Sequence, residues 1–151
     1  MKLNLGCGLR REDGYVNIDK EDYDFNDFPW IHRSNTFEEI RIWNSIHCCN
    51  NLNKFMAEVW RVAKPKAKIL IKSQYHLAPE VDPMTKTPIC FTSFNQYRDR
   101  FKIIKRRWIF TDYRYLSWLN FIPNIFPKFY CRFLYFYFPS DKIYFELEVI
   151  K

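Results

Sequence analysis

Apolar and polar residues alternate in five short stretches of this chain, which is the pattern of β-strands that bury one face, and a sixth stretch, residues 101–110, also resembles a strand. In the first stretch, for example, Leu3 and Leu5 alternate with Lys2 and Asn4. The predicted strands cover residues 2–5, 15–19, 38–44, 67–73, 101–110 and 142–150. Since a sheet covered by helices on both faces has nearly continuous apolar strands, this alternation indicates one buried face and one partly open face.

Apolar residues recur at helical spacing between the third and fourth predicted strands. They predict a helix over residues 51–63, with Asn50 or Asn51 as its N-cap and Pro65 as the residue that ends it. A strand, a helix and a strand in this order, followed by two late strands, indicate an α/β fold. The open face of the sheet is predicted to be wet, covered by another part of the chain, or covered by a second copy.

Two regions lie between the later strands. Thr92 is predicted to cap a short helix that reaches Arg98. Residues 111–139, here called the aromatic segment, form an insertion before the last strand and contain three prolines. Its residues at helical spacing are Phe126, Phe129, Tyr130, Phe133, Leu134 and Tyr137. They could lie on a membrane surface or line a substrate lid, but packing onto the domain or onto a dimer partner is favoured.

The composition is that of a single globular domain. The chain has 151 residues, of which 48% are hydrophobic and 20% aromatic, enough for one core. No signal peptide and no apolar run of about 18 residues is recognisable, so no membrane-spanning helix is expected. The five cysteines, an odd number, favour reduced thiols and a cytoplasmic location. They contain no Cys-x-x-Cys pair, so no metal site is expected.

The charge is unevenly distributed along the chain. Residues 1–60 carry 7 Lys and Arg against 10 Asp and Glu, whereas residues 61–151 carry 17 against 7. A basic half could contact nucleic acid, anionic lipid or an acidic substrate. A solvated basic surface explains the same distribution. For the cations of residues 98–107, the favoured interpretation is that they keep the edge of a strand soluble, rather than that they contact nucleic acid.

All three glycines of the chain fall within nine residues, at Gly6, Gly8 and Gly14. Glycine permits a positive φ or a close approach of backbone to a ligand. Here a short strand runs into Gly-x-Gly, and the next strand ends in Asp19. Glycines after one strand and a carboxylate after its neighbour outline a nucleotide-type site. Only seven residues separate Gly8 from Val16, so the usual crossover helix must be absent or a single turn.

Four ordered blocks resemble the class I S-adenosylmethionine-dependent methyltransferases, and most closely the small type 11-like group. The first two blocks read Leu-Gly-Cys-Gly at residues 5–8 and Gly-Tyr-Val-Asn-Ile-Asp at residues 14–19. The others lie within residues 24–40 and 58–71, and the match extends over roughly residues 2–97. The resemblance implies a Rossmann-like sheet, mostly parallel with an antiparallel last strand. It would be a minimal version that lacks most of the first crossover helix.

The resemblance also implies a set of residues that bind S-adenosylmethionine, with S-adenosylhomocysteine as the product. The glycine loop, made of Leu5, Gly6, Cys7 and Gly8, would pass under the methionine part of the cofactor. Asp19 would accept hydrogen bonds from the ribose hydroxyls. Asp24 and the Phe25 backbone would lie near the adenine, and Asn44 beside the transferring methyl group.

Several residues depart from the family pattern on the acceptor side. The usual Glu-His pair is replaced by His47 and Cys48, and the turn glycine by Lys66. A proline after the fifth family strand is replaced by Gln74, and a later histidine by Thr85. His47 and His76 stay candidate general bases.

These observations favour methyl transfer from S-adenosylmethionine to an oxygen or nitrogen atom of an unidentified acceptor. The alternatives are a catalytically degenerate methyltransferase fold that acts as a binding or assembly module, and a nucleic-acid methyltransferase that uses the basic half. A homodimer could form through the open sheet face or the aromatic segment. Nucleic acid and a membrane surface are less favoured partners.

Overall fold

The computed structural model describes residues 1–75 and 83–151, and its centre is one six-stranded sheet. The strands are β1 (Lys2–Leu5), β2 (Tyr15–Ile18), β3 (Phe37–Trp43), β4 (Ala63–Gln74), β5 (Phe101–Ile109) and β6 (Lys142–Val149). Their order in the sheet is β2-β1-β3-β4-β6-β5. The first four are parallel, and β6 is antiparallel to both of its neighbours. This arrangement confirms the predicted fold class and places the carboxyl ends of β1, β2 and β3 at one edge.

Helix α1 (Leu52–Val62) covers one face of the sheet. Asn51 is its N-cap, because the side chain accepts a hydrogen bond of 3.0 Å from the Lys54 backbone N–H. The residues of α1 that are buried against the sheet are Phe55, Met56, Val59 and Val62. They meet the apolar strand positions, including Ile40, Ile42, Ile69 and Ile71, none of which is exposed. The apolar residues that recur about every 3.6 positions along the helix therefore pack against those that recur at every second position along the strands, and together they form the core.

The predicted range of α1 is confirmed to within one residue, but Pro65 does not end the helix. The helix ends at Val62, because Ala63 already has extended backbone and pairs with Phe37, so Pro65 lies inside the irregular start of β4. A second predicted helix is wrong. The helix predicted from Thr92 to Arg98 is reduced to a single 3-10 turn at Asn95–Tyr97. Successive hydrogen bonds between residues three apart, such as Asn95 N–H to the Thr92 carbonyl, hold this region in tight turns.

No helix occurs between β1 and β2, as the short connection predicts. The loop folds back over the polar face of both strands. The Asn4 amide donates to the Arg10 carbonyl at 3.0 Å and to Asn17 Oδ1 at 2.8 Å. The Asn17 amide donates to the Glu12 carbonyl and its oxygen accepts from the Glu12 N–H, both at 2.9 Å. Two side-chain amides thus hold the loop where the connection between parallel strands usually contains a helix.

The rest of the polar face carries a layer of charged and aromatic side chains. Arg41 pairs with Glu12 and with Glu39, and its guanidinium lies 4.5 Å from the centre of the Tyr15 ring and 5.2 Å from that of Trp43. These side chains are only partly buried. This face is therefore partly open over β1–β3, as the alternation predicts.

The aromatic segment contains a 3-10 helix (Arg114–Phe121), two short helices α2 (Ile122–Ile125) and α3 (Pro127–Phe129), and a π-helix (Tyr130–Leu134). Tyr130 and Tyr135 pack against Trp108 on the core side. Asn124 binds both the N–H and the carbonyl of Trp108, at 2.9 and 2.8 Å. Because β5 is an edge strand, this amide takes the place of a missing neighbouring strand.

Candidate functional site

The candidate site lies where three parallel strands end. Gly6 follows β1, Asp19 follows β2, and Asn44 follows β3. The register pairs Leu5 with both Ile18 and Ile42, so the three strand ends lie at nearly the same level. In open α/β sheets, ligands bind in the crevice outside these carboxyl ends.

The glycine loop is fixed by hydrogen bonds to β2 and by a contact with β3. The backbone N–H groups of Gly6 and Cys7 both donate to the Ile18 carbonyl, at 2.8 and 3.1 Å. Gly6 has a φ of +68°, and a Cβ added there would lie within 2.5 Å of both Cβ and Oγ of Ser45. Ser45 in turn donates a hydrogen bond of 3.0 Å to the Leu5 carbonyl. Gly6 is therefore required by packing inside the protein itself.

Gly8 differs from Gly6 because its α-carbon faces open space. Its φ is +52°, and a Cβ added there would meet no atom within 4 Å. Gly8 lines two pockets, one of about 310 Å³ and an adjoining one of about 330 Å³. The side chain missing at Gly8 thus leaves room for a ligand above the loop.

The pocket of about 310 Å³ brings together six of the eight predicted cofactor residues. These are Gly6, Gly8, Asp19, Asp24, Phe25 and Asn44. Its lining also includes residues that the sequence analysis did not identify, namely Lys20, Asn26, Ser45, Cys48, Met84 and Lys86. Lys20 and Ser45 directly follow predicted site residues, which is the signal that could have found them. Met84 and Lys86 come from a distant loop, and their signal was the family pattern around Thr85, which lies between them.

Asp19 and Asp24 have different surroundings. The Asp19 carboxylate is half-buried and has no hydrogen bond to any other residue within 1–75 or 83–151. In contrast, Asp24 Oδ1 accepts hydrogen bonds of 2.9 Å from the backbone and the side chain of Asn26. The Asn26 side-chain oxygen in turn accepts a hydrogen bond of 2.7 Å from the N–H of Asn50, just before α1. Asp24 therefore shapes the turn, whereas Asp19 presents an acceptor to the pocket.

Phe25 and Asn44 are held by backbone contacts. The Phe25 carbonyl accepts a hydrogen bond of 2.9 Å from Trp30 Nε1, and the Phe25 ring packs edge-on against Phe55 with ring centres 5.5 Å apart. Asn44 has a φ of 55°, a conformation that asparagine tolerates better than most residues. Its N–H donates to the Lys72 carbonyl at 2.7 Å, which fixes the end of β3 against β4.

Leu5 and Cys7 do not line the pocket of about 310 Å³. The Leu5 side chain is fully buried in the core, and Leu5 acts through its carbonyl, which accepts from Ser45. Cys7 lines the adjoining pocket together with Asn4, Glu12 and Trp43. Burial and the nearby Asp19 carboxylate raise the pKa of the Cys7 thiol, so it stays protonated near neutral pH.

The two candidate bases lie in different situations. His47 is 2% exposed, and its Nδ1 lies 3.4 Å from Ser73 Oγ beneath the strand ends. Its carbonyl accepts hydrogen bonds from the N–H groups of Lys86 and Thr87, so it positions a loop that lines the pocket. A side chain so buried is poorly placed to contact an acceptor from solvent. His76 lies outside the described residues.

Across the described part of the chain, no helix has the length and apolar character needed to cross a membrane. No protein-family model matches the sequence, and no curated protein sequence matches it.

Solved structures match nearly the whole chain. A SAM-dependent methyltransferase from Archaeoglobus fulgidus is 14% identical with a TM-score of 0.66, and the match covers 97% of this chain and 85% of that one. An S-adenosylmethionine-dependent methyltransferase from Mesorhizobium loti is 10% identical with a TM-score of 0.61, over 97% and 89%. The (4+2)-cyclase SpnF is 12% identical with a TM-score of 0.63, over 99% and 74%. This chain therefore has the Rossmann-like fold of the class I methyltransferases.

Proposed function

We propose that this chain binds S-adenosylmethionine and transfers its methyl group to an oxygen or nitrogen atom of an acceptor. The observation that carries the proposal is the pocket at the strand ends. Six residues that the sequence resemblance links to the cofactor, separated by up to 38 positions, line this one pocket. The fold shared with S-adenosylmethionine-dependent methyltransferases supports the same conclusion.

The residues present fit such a cofactor. Gly8 leaves open space above the loop, and Asp19 presents a carboxylate without a hydrogen-bond partner among the described residues. Together the pocket and its neighbour offer a volume within the range of small-molecule sites, which is about 300–1,000 Å³. Lys20 and Lys86 add positive charge to a lining that also contains two carboxylates.

Each of these residues has a role in binding and alignment. Asp19 accepts hydrogen bonds from the ribose hydroxyls, while the Asp24 turn and Phe25 border the adenine. The Gly6–Gly8 loop and Asn44 border the methionine part. S-adenosylmethionine supplies a methyl group already activated by a sulfonium, so the protein mainly has to align the acceptor and exclude water. The described lining contains no histidine, and His47 acts in this proposal only by positioning the Lys86 loop.

Titration calorimetry with S-adenosylmethionine and S-adenosylhomocysteine tests the proposal. Asp19→Asn keeps the side-chain volume but removes the charged acceptor. We expect the dissociation constant to rise roughly 10- to 100-fold, since hydrogen bonds to a charged group contribute about 1.5–3 kcal/mol. Asp13→Asn is the matched control, because Asp13 is exposed and lies outside the pocket. Absence of binding at sub-millimolar cofactor, or equal binding by Asp19→Asn and the parent, would refute the proposal.

A second candidate function is cofactor or ligand binding without methyl transfer. The burial of His47, at a position where the family carries a Glu-His pair, favours it. The (4+2)-cyclase among the structures with this fold also supports it. Calorimetric binding of S-adenosylmethionine, with no S-adenosylhomocysteine formed from amine, phenol and carboxylate acceptors, would favour this function over the first.

A further inference from the structure

The aromatic segment leaves a large amount of apolar surface exposed. The helical spacing of its aromatic residues favoured packing onto the domain or onto a dimer partner, and Tyr130 and Tyr135 are buried against the domain. Most of its other large side chains face solvent; for example, Trp118 is 63% and Phe126 71% exposed. The exposed set is Tyr113, Tyr115, Leu116, Trp118, Phe121, Ile122, Ile125, Phe126, Phe129, Phe133, Phe136, Tyr137 and Phe138. Large exposed apolar side chains in such number on one segment are typical of an interaction site.

The charge of the same segment is positive. Asp112 is the only acidic residue of positions 111–139, and it is engaged by Lys72, at 2.9 Å, and by Lys142. Its basic residues, Arg114, Lys128 and Arg132, are all exposed. The surface that the segment presents is therefore aromatic and cationic, without an acidic group left to oppose a negatively charged partner.

A groove of about 730 Å³ combines the two properties. One wall comes from the edge strand β5 and carries Lys105 and Arg107, while the other comes from the aromatic segment and carries Trp118, Phe121 and Ile125. Glu146 is the cross-strand neighbour of Lys105, but neither cation forms an ion pair within 4.0 Å among the described residues. An anionic group can thus contact β5 while an attached hydrocarbon chain lies against the aromatic wall.

We propose that the aromatic segment and β5 form a docking surface for an anionic phospholipid bilayer. Trp118, Phe121 and Ile125 insert below the headgroups, while Lys105 and Arg107 contact lipid phosphates. Tryptophan and tyrosine are favoured at this depth of a bilayer, and each nearby cation adds attraction to anionic lipid. The helical pieces of the segment are short and none of the described helices spans a bilayer, so the segment lies on the surface.

Charge and side-chain chemistry favour lipid over the other occupants. In a two-fold dimer through this face, the same patch would meet itself, and its cations would approach like charges. For nucleic acid, the cations would suit phosphates, but exposed Leu116, Ile122 and Ile125 have no ring on which bases could stack. The aliphatic residues have a favourable environment only in a partner that contains hydrocarbon.

Vesicle flotation tests the proposal with the full chain. The vesicles contain phosphatidylcholine alone or with 30% phosphatidylglycerol, and we expect binding only to the anionic vesicles, weakened by salt. The double variant Trp118→Ser/Phe121→Ser should bind about tenfold more weakly. The matched control Leu9→Ser/Ile31→Ser removes two exposed apolar side chains outside the segment and should bind like the parent.

A second pair of variants tests the cationic wall. Lys105→Gln/Arg107→Gln should lower binding to anionic vesicles about tenfold, whereas Lys54→Gln/Lys64→Gln removes two exposed cations elsewhere and should change it much less. Circular dichroism confirms that each variant is folded. Absence of vesicle binding by the parent overturns the proposal, as does equal loss in the control variants. A stable dimer in sedimentation, or tight RNA binding, without vesicle binding also overturns it.

Discussion

Replacing Gly6 by alanine should destabilise this protein much more than replacing either of the other glycines. All three glycines have positive φ, at 68°, 52° and 78° for Gly6, Gly8 and Gly14. An added Cβ meets nothing within 4 Å at Gly8 or Gly14, but at Gly6 it lies within 2.5 Å of Ser45. The three substitutions therefore share the free-energy cost of placing alanine at positive φ, and only Gly6→Ala adds a steric clash with Ser45.

The magnitudes follow from these two terms. A non-glycine residue in the left-handed region costs about 1–2 kcal/mol, and alanine recovers about 0.5 kcal/mol because it restricts the unfolded chain. We therefore expect Gly8→Ala and Gly14→Ala to lose about 1 kcal/mol each. Overpacking against Ser45 adds about 1–3 kcal/mol, so Gly6→Ala should lose about 2–4 kcal/mol. For a chain of this length, each kcal/mol lowers the melting temperature by about 2–4 °C.

Urea denaturation of the three glycine variants, of Ser45→Gly and of Gly6→Ala/Ser45→Gly measures these differences. The Ser45→Gly substitution removes both atoms that the new methyl group would meet, so the double variant should recover most of the packing loss relative to Ser45→Gly alone. If Gly6→Ala were no less stable than Gly14→Ala, or if Ser45→Gly gave no recovery, the contact with Ser45 would not be what requires glycine at position 6.

The Gly8 and Gly14 variants also form a matched pair for ligand binding. Their stability losses should be equal, yet only Gly8 lines the candidate pocket. We expect Gly8→Ala to weaken S-adenosylhomocysteine binding in calorimetry at least tenfold, with Gly14→Ala close to the parent. Equal affinities of the two variants would show that no ligand approaches Gly8.

Three further changes test the fold. Glu58 accepts from Arg61 at 2.7 Å, and this pairing holds the pKa of Glu58 below its usual value; Glu58→Gln should cost about 1–2 kcal/mol near pH 7 in urea denaturation. This contribution is present above the unfolded pKa of about 4.3, so the difference should shrink as the pH falls through the lower folded pKa. Asn124→Ala removes both hydrogen bonds to the Trp108 backbone and should cost about 1–3 kcal/mol, with faster hydrogen exchange along β5. Lys66 has a φ of +61°, so Lys66→Gly should raise stability by about 0.5–1 kcal/mol.

Each of these three predictions has a result that contradicts it. A constant effect of Glu58→Gln from pH 7 to about pH 3 would show that its charge does not contribute. Unchanged exchange along β5 in Asn124→Ala would mean that the amide does not protect the edge strand. Lys64→Gly is the control for Lys66→Gly, because Lys64 does not have positive φ and should lose stability. Equal effects of the two lysine variants would refute the role of backbone conformation at Lys66.

The strands and the helix α1 could be predicted because their signals are local. Alternation along a strand and the spacing of Phe55, Met56 and Val59 along the helix reflect which side faces the core. The absence of a first crossover helix also followed from the length of the β1–β2 connection alone. The end of α1, predicted at residue 63, was correct to within one residue, but its predicted cause, Pro65, was wrong, because pairing of Ala63 with Phe37 already begins β4 at the end of the helix.

The candidate site was predicted in part. Gly6, Asp19 and Asn44 directly follow strands, and Gly8 lies two residues after Gly6, so the strand pattern and the family resemblance together could place them at one sheet edge. Met84 and Lys86 reach the same pocket from a loop fixed by the buried His47 carbonyl. The family pattern around Thr85 marked this loop, but the long-range contact that holds it at the pocket has no local signal.

The residue pattern by itself determined the strands, their buried face, the short β1–β2 connection and the glycines that follow β1. These properties depend on the period of apolar residues, on the length of that connection and on the positions of the glycines. The parallel order of the strands and the other residues at the strand ends were expected from the family resemblance. Only the tertiary structure decided that Gly6 is required by Ser45 and that Gly8 faces a ligand-sized space. It also decided which aromatic residues of positions 111–139 are buried and which remain exposed. The physical reason is that packing, burial and access to solvent depend on neighbours brought together from distant positions of the chain, and no local pattern records them.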